Sequence, residues 1–193
     1  MKQKIKKAKA KVLKFFNNPK AKLNVNVIFL KTREEMDKVC KRKTEKWVVG
    51  NSLKNRIYIF HPDVFHKVSS HPKKEFFPVL VHEICHVYQQ QNFKFNFPMW
   101  LNEGIAYVVA NQTKKNFKKR DIRICHTFKE WGKNHQYNSS GSFVQYLIKK
   151  YGKNKLIMLM KSLKKYETKK SFNNKFKEVF NEDFDSVVVR WLK

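Results

Sequence analysis

Two short stretches carry the residue types that do chemistry: His82-Glu83-Ile84-Cys85-His86 and Trp100-Leu101-Asn102-Glu103-Gly104-Ile105-Ala106. On a helix, positions i and i+4 share one face a turn apart, so His82 and His86 can present two imidazoles to a single metal ion. Glu83 falls about 100° round the wheel from His82. It stands off the ligand pair and within reach of a water, as a general base rather than a ligand. A catalytic zinc takes three protein ligands and keeps one position open, and Glu103 is the third donor available, at the start of the next apolar stretch.

H-E-x-x-H alone is a weak pattern, because two solvated or core-satisfied histidines fit it too. Its surroundings say more. Phe76, Phe77, Leu80, Val81, Ile84, Val87 and Tyr88 cover most of the wheel and leave Val79, His82, Glu83, His86, Gln89 and Gln90 on one side. A helix apolar round most of its circumference is buried. Polar groups left unpaired there cost roughly 1–3 kcal/mol each, so two buried histidines and a glutamate need partners, and a metal is a sufficient one. The second stretch reads as a helix from Met99 to Asn111, opened by Pro98 after the polar and aromatic loop Gln91-Asn92-Phe93-Lys94-Phe95-Asn96-Phe97. Tyr107, Ala110, Ala106 and Trp100 flank Glu103 on its wheel, and the two alanines suit close approach to the His82 helix.

Together the two motifs resemble the gluzincin zinc metallopeptidases, and W-L-N-E-G-x-A is similar to the third-ligand segment of their aminopeptidase branch. The resemblance implies that His82, His86 and Glu103 bind Zn2+, that Glu83 activates water, and that the chain hydrolyses peptide bonds in a peptide or protein substrate. The metzincin pattern does not fit, since Gln89 and Asn92 stand where it needs glycine and a third histidine. The chain departs from the aminopeptidases in three places. The spacing from His86 to Glu103 is slightly shorter, the glycine-rich segment that captures a substrate amino terminus is not visible, and Tyr107 stands where many relatives carry a carboxylate that orients a ligand histidine. Relatives also stabilise the oxyanion with a tyrosine or histidine, for which Tyr137 is the first candidate here and His135 the second.

The elements that must position these groups follow from periodicity. Met1–Lys22 is lysine-rich, with Ile5, Val12, Leu13, Phe15 and Phe16, and reads as a basic arm or a docked amphipathic helix preceding a single domain over 23–193. Leu23–Leu30 alternates as a strand, and Arg33–Lys41 reads as a helix capped by Thr32. Trp47–Val49 and Arg56–Phe60 read as strands joined around Gly50-Asn51, with Arg56–Phe60 as the cleft-edge strand on which a peptide could pair. His61, His66 and His71 lie in a turn-rich connection where histidines are usually solvated. Asn138–Ser142 reads as the cap of a helix over Phe143–Ile148, closed at Tyr151-Gly152. The expected fold class is α+β and zincin-like: a small amino-terminal sheet packed on the active-site helix, then a mainly helical carboxy-terminal part.

Composition bounds the rest. The 193 residues, 41% hydrophobic with 17 Phe, suffice for a packed core. No run approaches a membrane span or a secretory signal, and Cys40, Cys85 and Cys125 suit reduced thiols, so the expected location is cytoplasmic. The net charge of +28 attracts polyanions, and the rival reading is a nucleic-acid-associated or inactive basic protein that keeps a metallopeptidase-like fold. The excess of Lys over Arg, with few Gly and many Asn and Phe, is also what an AT-rich genome produces.

Overall fold

In the computed structural model, which describes residues 1–93, 98–165 and 167–193, the chain divides into Met1–Gln91 and Asn92–Lys193. The first unit is α+β and the second helical, the class the sequence implies. The segment Lys94, Phe95, Asn96 and Phe97 of the expected loop lies outside the described residues.

The first unit begins with α1 (Lys2–Phe15), in which Lys2, Lys6, Lys7 and Lys14 are exposed while Ala8 and Val12 are buried. It is docked rather than a loose arm. Phe16 stacks on Tyr88 with centroids 4.3 Å apart, and Lys4 lies over the Phe76 ring. The following chain is held as well, because the Gln91 side chain pairs with the Asn24 backbone in both directions, at 3.3 and 2.6 Å. That pairing takes Asn24 out of the strand expected from Leu23, and β1 spans Asn26–Leu30. A capping box between Thr32 and Glu35 starts α2 (Arg33–Cys40), which ends in left-handed Lys41.

The sheet runs β1-β3-β2, with β3 (Arg56–Phe60) parallel to β1 and antiparallel to β2 (Gly50–Leu53). Two expectations are corrected here. Trp47–Val49 is not a strand, because the Arg33 guanidinium gathers the carbonyls of Glu45, Lys46 and Val48, and also that of Val68. Those acceptors are drawn to a side chain rather than to a ladder, and the turn shifts from Gly50-Asn51 to Lys54-Asn55, with Lys54 at φ 55°. Arg56–Phe60 is also not an edge. It is hydrogen-bonded on both sides, with Ile57, Ile59 and Phe60 fully buried, so the edges are β1 and β2. After α3 (Pro62–Phe65), a connection containing His71 leads to α4 (Phe76–Asn92). His71 is engaged rather than simply solvated: its ring bonds Glu75 at 2.5 Å and the Trp47 carbonyl at 3.1 Å.

The second unit opens with α5 (Met99–Ala110), followed by α6 (Phe128–Asn134), α7 (Tyr137–Tyr151), α8 (Lys153–Ser162), α9 (Lys169–Phe180) and α10 (Phe184–Leu192). Its core is aromatic. Trp100 is fully buried, stacked on Phe184 at 5.5 Å and edge-on to Phe143 and Phe172. This anchors the first turn of α5 and fixes which face Glu103, three residues on, presents. Helix α7 starts earlier than its sequence suggests, because Ser139, Ser140 and Gly141 are buried and packing overrides their poor helix propensity. A methyl group at Gly104 would lie 2.5 Å from the Ser140 carbonyl oxygen, so α5 and α7 approach backbone to backbone there. Cys125 is a buried core thiol pushed up to about 12 by burial.

His126 gives this unit a pH dependence. It is 2% exposed, lies edge-on to Phe172, and its Nε2 has no hydrogen-bond partner among the described residues. Burial, with Lys169 behind it, pushes the imidazole down to about 4 against the pull of Glu130 and Glu167. An unfolded histidine titrates near 6.5, so on acidification the unfolded chain takes up a proton that the folded chain refuses, and stability falls as pH drops from 6.5 towards 4. The expected loss between pH 7 and 5 is about 2 kcal/mol from this group. Urea unfolding at both pH values should show that loss in the wild type and a clearly smaller one in His126→Phe; equal losses would remove His126 as the cause.

Candidate active site

The first half of the site lies on α4. Residues 81–89 are all buried, so the helix is enclosed all round, and His82, Glu83 and His86 are only 9%, 8% and 8% exposed. The i, i+4 spacing does what the sequence predicts: His82 Nε2 and His86 Nε2 face each other at 2.9 Å, rings nearly perpendicular. Two imidazole lone pairs cannot sit that close unless a cation or a shared proton lies between them. Metal–nitrogen bonds of about 2.0–2.1 Å span such a gap.

The outer nitrogen of His86 shows how its ring is held. His86 Nδ1 is 3.0 Å from Gln89 Oε1, and Gln89 is 3% exposed. An amide oxygen only accepts, so Nδ1 carries the hydrogen and donates it, leaving a lone pair on Nε2 that can take a cation or a proton carried by His82. This is the outer hydrogen bond that ligand histidines generally make, supplied by glutamine rather than carboxylate. The donor chemistry fits a metal. Gln89→Leu should therefore keep the fold and weaken metal binding at this pair 10–100-fold, measured by competition with a chromophoric chelator at fixed pH; unchanged affinity would mean that Gln89 does not orient the ring.

Glu83 is held differently. A methyl group added to Gly50, the first residue of β2, would lie 2.7 Å from Glu83 Oε1 and 2.8 Å from its Cγ. The start of β2 is thus packed directly on the carboxylate expected to act as base.

The second motif belongs to the other unit. Glu103 is half-buried on α5, one residue before Gly104 and one turn before Tyr107. Tyr107 stacks on Tyr137 with centroids 5.3 Å apart and planes 19° off parallel. Trp131 packs edge-on to Tyr137 at 4.9 Å, and His135 stacks on its other side at 6.1 Å. Tyr137 is the first residue of α7 rather than part of a preceding loop, and His135 is the exposed, left-handed residue that ends α6.

The family follows from a comparison over nearly the whole chain. Residues 1–188 match the model of the family described as BSP, peptidase of plants and bacteria. The chain belongs to that peptidase family. No curated protein and no solved structure matches it.

The BSP match covers residues 1–188 and so includes α1 as well as both motifs. In this BSP chain the structure places two residues that the sequence analysis does not single out beside expected site residues, Gln89 at His86 and Gly50 at Glu83. Gln89 was legible as the i+3 neighbour of His86 on the polar side of the wheel. Gly50 was not, because a glycine beside asparagine reads as a turn before it reads as a close approach.

Proposed function

We propose that this BSP-family chain is a zinc metallopeptidase of the gluzincin kind, in which His82, His86 and Glu103 hold the ion and Glu83 is the general base. The observation that carries the reading is the buried pair of Nε2 atoms at 2.9 Å, with the outer nitrogen of His86 tied to Gln89. Among the described residues, His82, His86 and Glu103 form a group that could hold a metal ion. Two imidazoles and one carboxylate are a donor set of catalytic zinc sites, which leave a fourth position open.

Bound zinc would supply Lewis acidity, polarising the scissile carbonyl and making a water acidic enough to ionise near neutral pH. The chain's own residues do the rest. Glu83 takes a proton from the water as its oxygen attacks the carbonyl carbon, and passes that proton to the amide nitrogen as the carbon–nitrogen bond breaks. The Tyr137 hydroxyl donates to the oxyanion, its ring held by Tyr107 and Trp131. The substrate backbone lies along β2, an edge strand that begins against Glu83.

The experiment is hydrolysis of fluorescein-labelled casein by the wild-type protein and by Glu83→Gln, with bound metal measured on the same samples. Cleavage by the wild type alone, stopped by chelation and restored by zinc, supports the reading. Cleavage that survives complete metal removal contradicts it.

A further inference from the structure

Glycine is required at a position for one of two reasons: a left-handed backbone, or too little room for a side chain. Gly50 is not in the left-handed region, where Gly152 at φ 86° lies. The reason at Gly50 is room. An added Cβ would meet three atoms of one side chain, Glu83, with Oε1 at 2.7 Å, Cγ at 2.8 Å and Cδ at 2.9 Å.

The backbone at Gly50 is pinned from both directions. Gly50 itself is in register with fully buried Ile59 of β3. Two residues upstream, the Val48 carbonyl accepts from Arg33 Nη1 at 2.6 Å, and Val49 between them is buried. One residue downstream, Asn51 Nδ2 contacts Cys40 Sγ at 3.3 Å. Of the two partners in the clash, the strand is tied through its neighbours on both sides, so the Glu83 side chain is the one that turns, from Cγ outward, and its carboxylate moves with it. At Gly104 the obstructing atoms include the Ser140 backbone, and there the cost would fall on packing.

We infer that Gly50 is a positioning residue for the reaction: its bare backbone forms the wall that fixes the Glu83 carboxylate, and any side chain there moves the base while leaving the fold and the metal ligands in place. The inference rests on the proposed role of Glu83 as base.

Gly50→Ala tests it. The expected result is metal content equal to the wild type, a melting temperature within a few degrees, and kcat for labelled casein lowered about 10²-fold, with KM within about twofold. A crystal structure of the variant should show the Glu83 carboxylate displaced from its wild-type position. Wild-type kcat, or a carboxylate that has not moved, would overturn the inference. If Gly50→Ala fails to fold, Gly50→Ala combined with Glu83→Ala decides, because alanine at 83 removes all three atoms that the new Cβ would meet: a folded double variant upholds the clash as the cause, and an unfolded one overturns it. Failure of the peptidase reading is separate. It would show as wild-type protein without zinc or casein hydrolysis, while the crystallographic comparison still judges whether Gly50 places Glu83.

Discussion

Glu83→Gln should lower casein hydrolysis by roughly 10²–10⁴-fold while the protein stays folded and keeps its metal. The substitution preserves the shape of a side chain that is 8% exposed and packed against Gly50, so no cavity opens and no new contact is forced. It removes the one property the mechanism uses, a carboxylate that accepts a proton from water and returns it to the leaving amine. The neighbouring proposed ligands, His82 and His86, are untouched, and their mutual geometry is set by the helix and by Gln89. Turnover measured beside bound zinc on the same preparation separates loss of the base from loss of the site. Full activity in Glu83→Gln would end its assignment as base.

Removing a ligand should do more, because it takes away both chemistry and stability. On the proposed reading, zinc at about a thousand times its dissociation constant would stabilise the folded wild type by about 4 kcal/mol, which for a chain of this size would raise the melting temperature on the order of 10 °C. His82→Ala and Glu103→Ala should each abolish hydrolysis and most of that zinc-dependent shift. His82→Ala leaves a buried, half-filled site, whereas Glu103 is half-buried on α5, so the metal-free His82 variant should also melt lower than the metal-free wild type. Calorimetry with and without zinc measures both effects. A zinc shift that survives in Glu103→Ala would remove Glu103 from the ligand set.

The parts of this protein legible in sequence are those where one local rule acts alone. The i, i+4 pair His82 and His86, the enclosed helix that carries them, and the start of α5 at Pro98 follow from helical periodicity and proline chemistry. The strands of the α+β class followed from the alternating run Leu23–Leu30 and from Arg56–Phe60, the first of which the structure shortens to Asn26–Leu30. The misread parts are those where a distant side chain outbids the local signal. Arg33 draws the carbonyls of residues 45, 46 and 48 away from strand pairing, and Gln91 does the same at Asn24. Small residues were misread for a related reason. Gly50-Asn51 looks like a turn and Asn138–Ser142 like a cap, yet Gly50 makes room for Glu83 and Ser139–Gly141 are buried inside α7. What a glycine or serine makes room for lies elsewhere in the chain, and a one-dimensional pattern does not carry it. The strand order is also non-local: placing β3 between β1 and β2 needs a parallel pairing across α2, and that turns the expected edge into the centre.

The most direct test of the central claim is the metal content of the purified protein by elemental mass spectrometry, beside His82→Ala and Glu103→Ala. Close to one zinc per chain in the wild type, and none in either variant, is the expected result. A wild-type protein that holds no metal after zinc is supplied, or variants that hold as much as the wild type, would contradict a three-ligand site and the mechanism built on it.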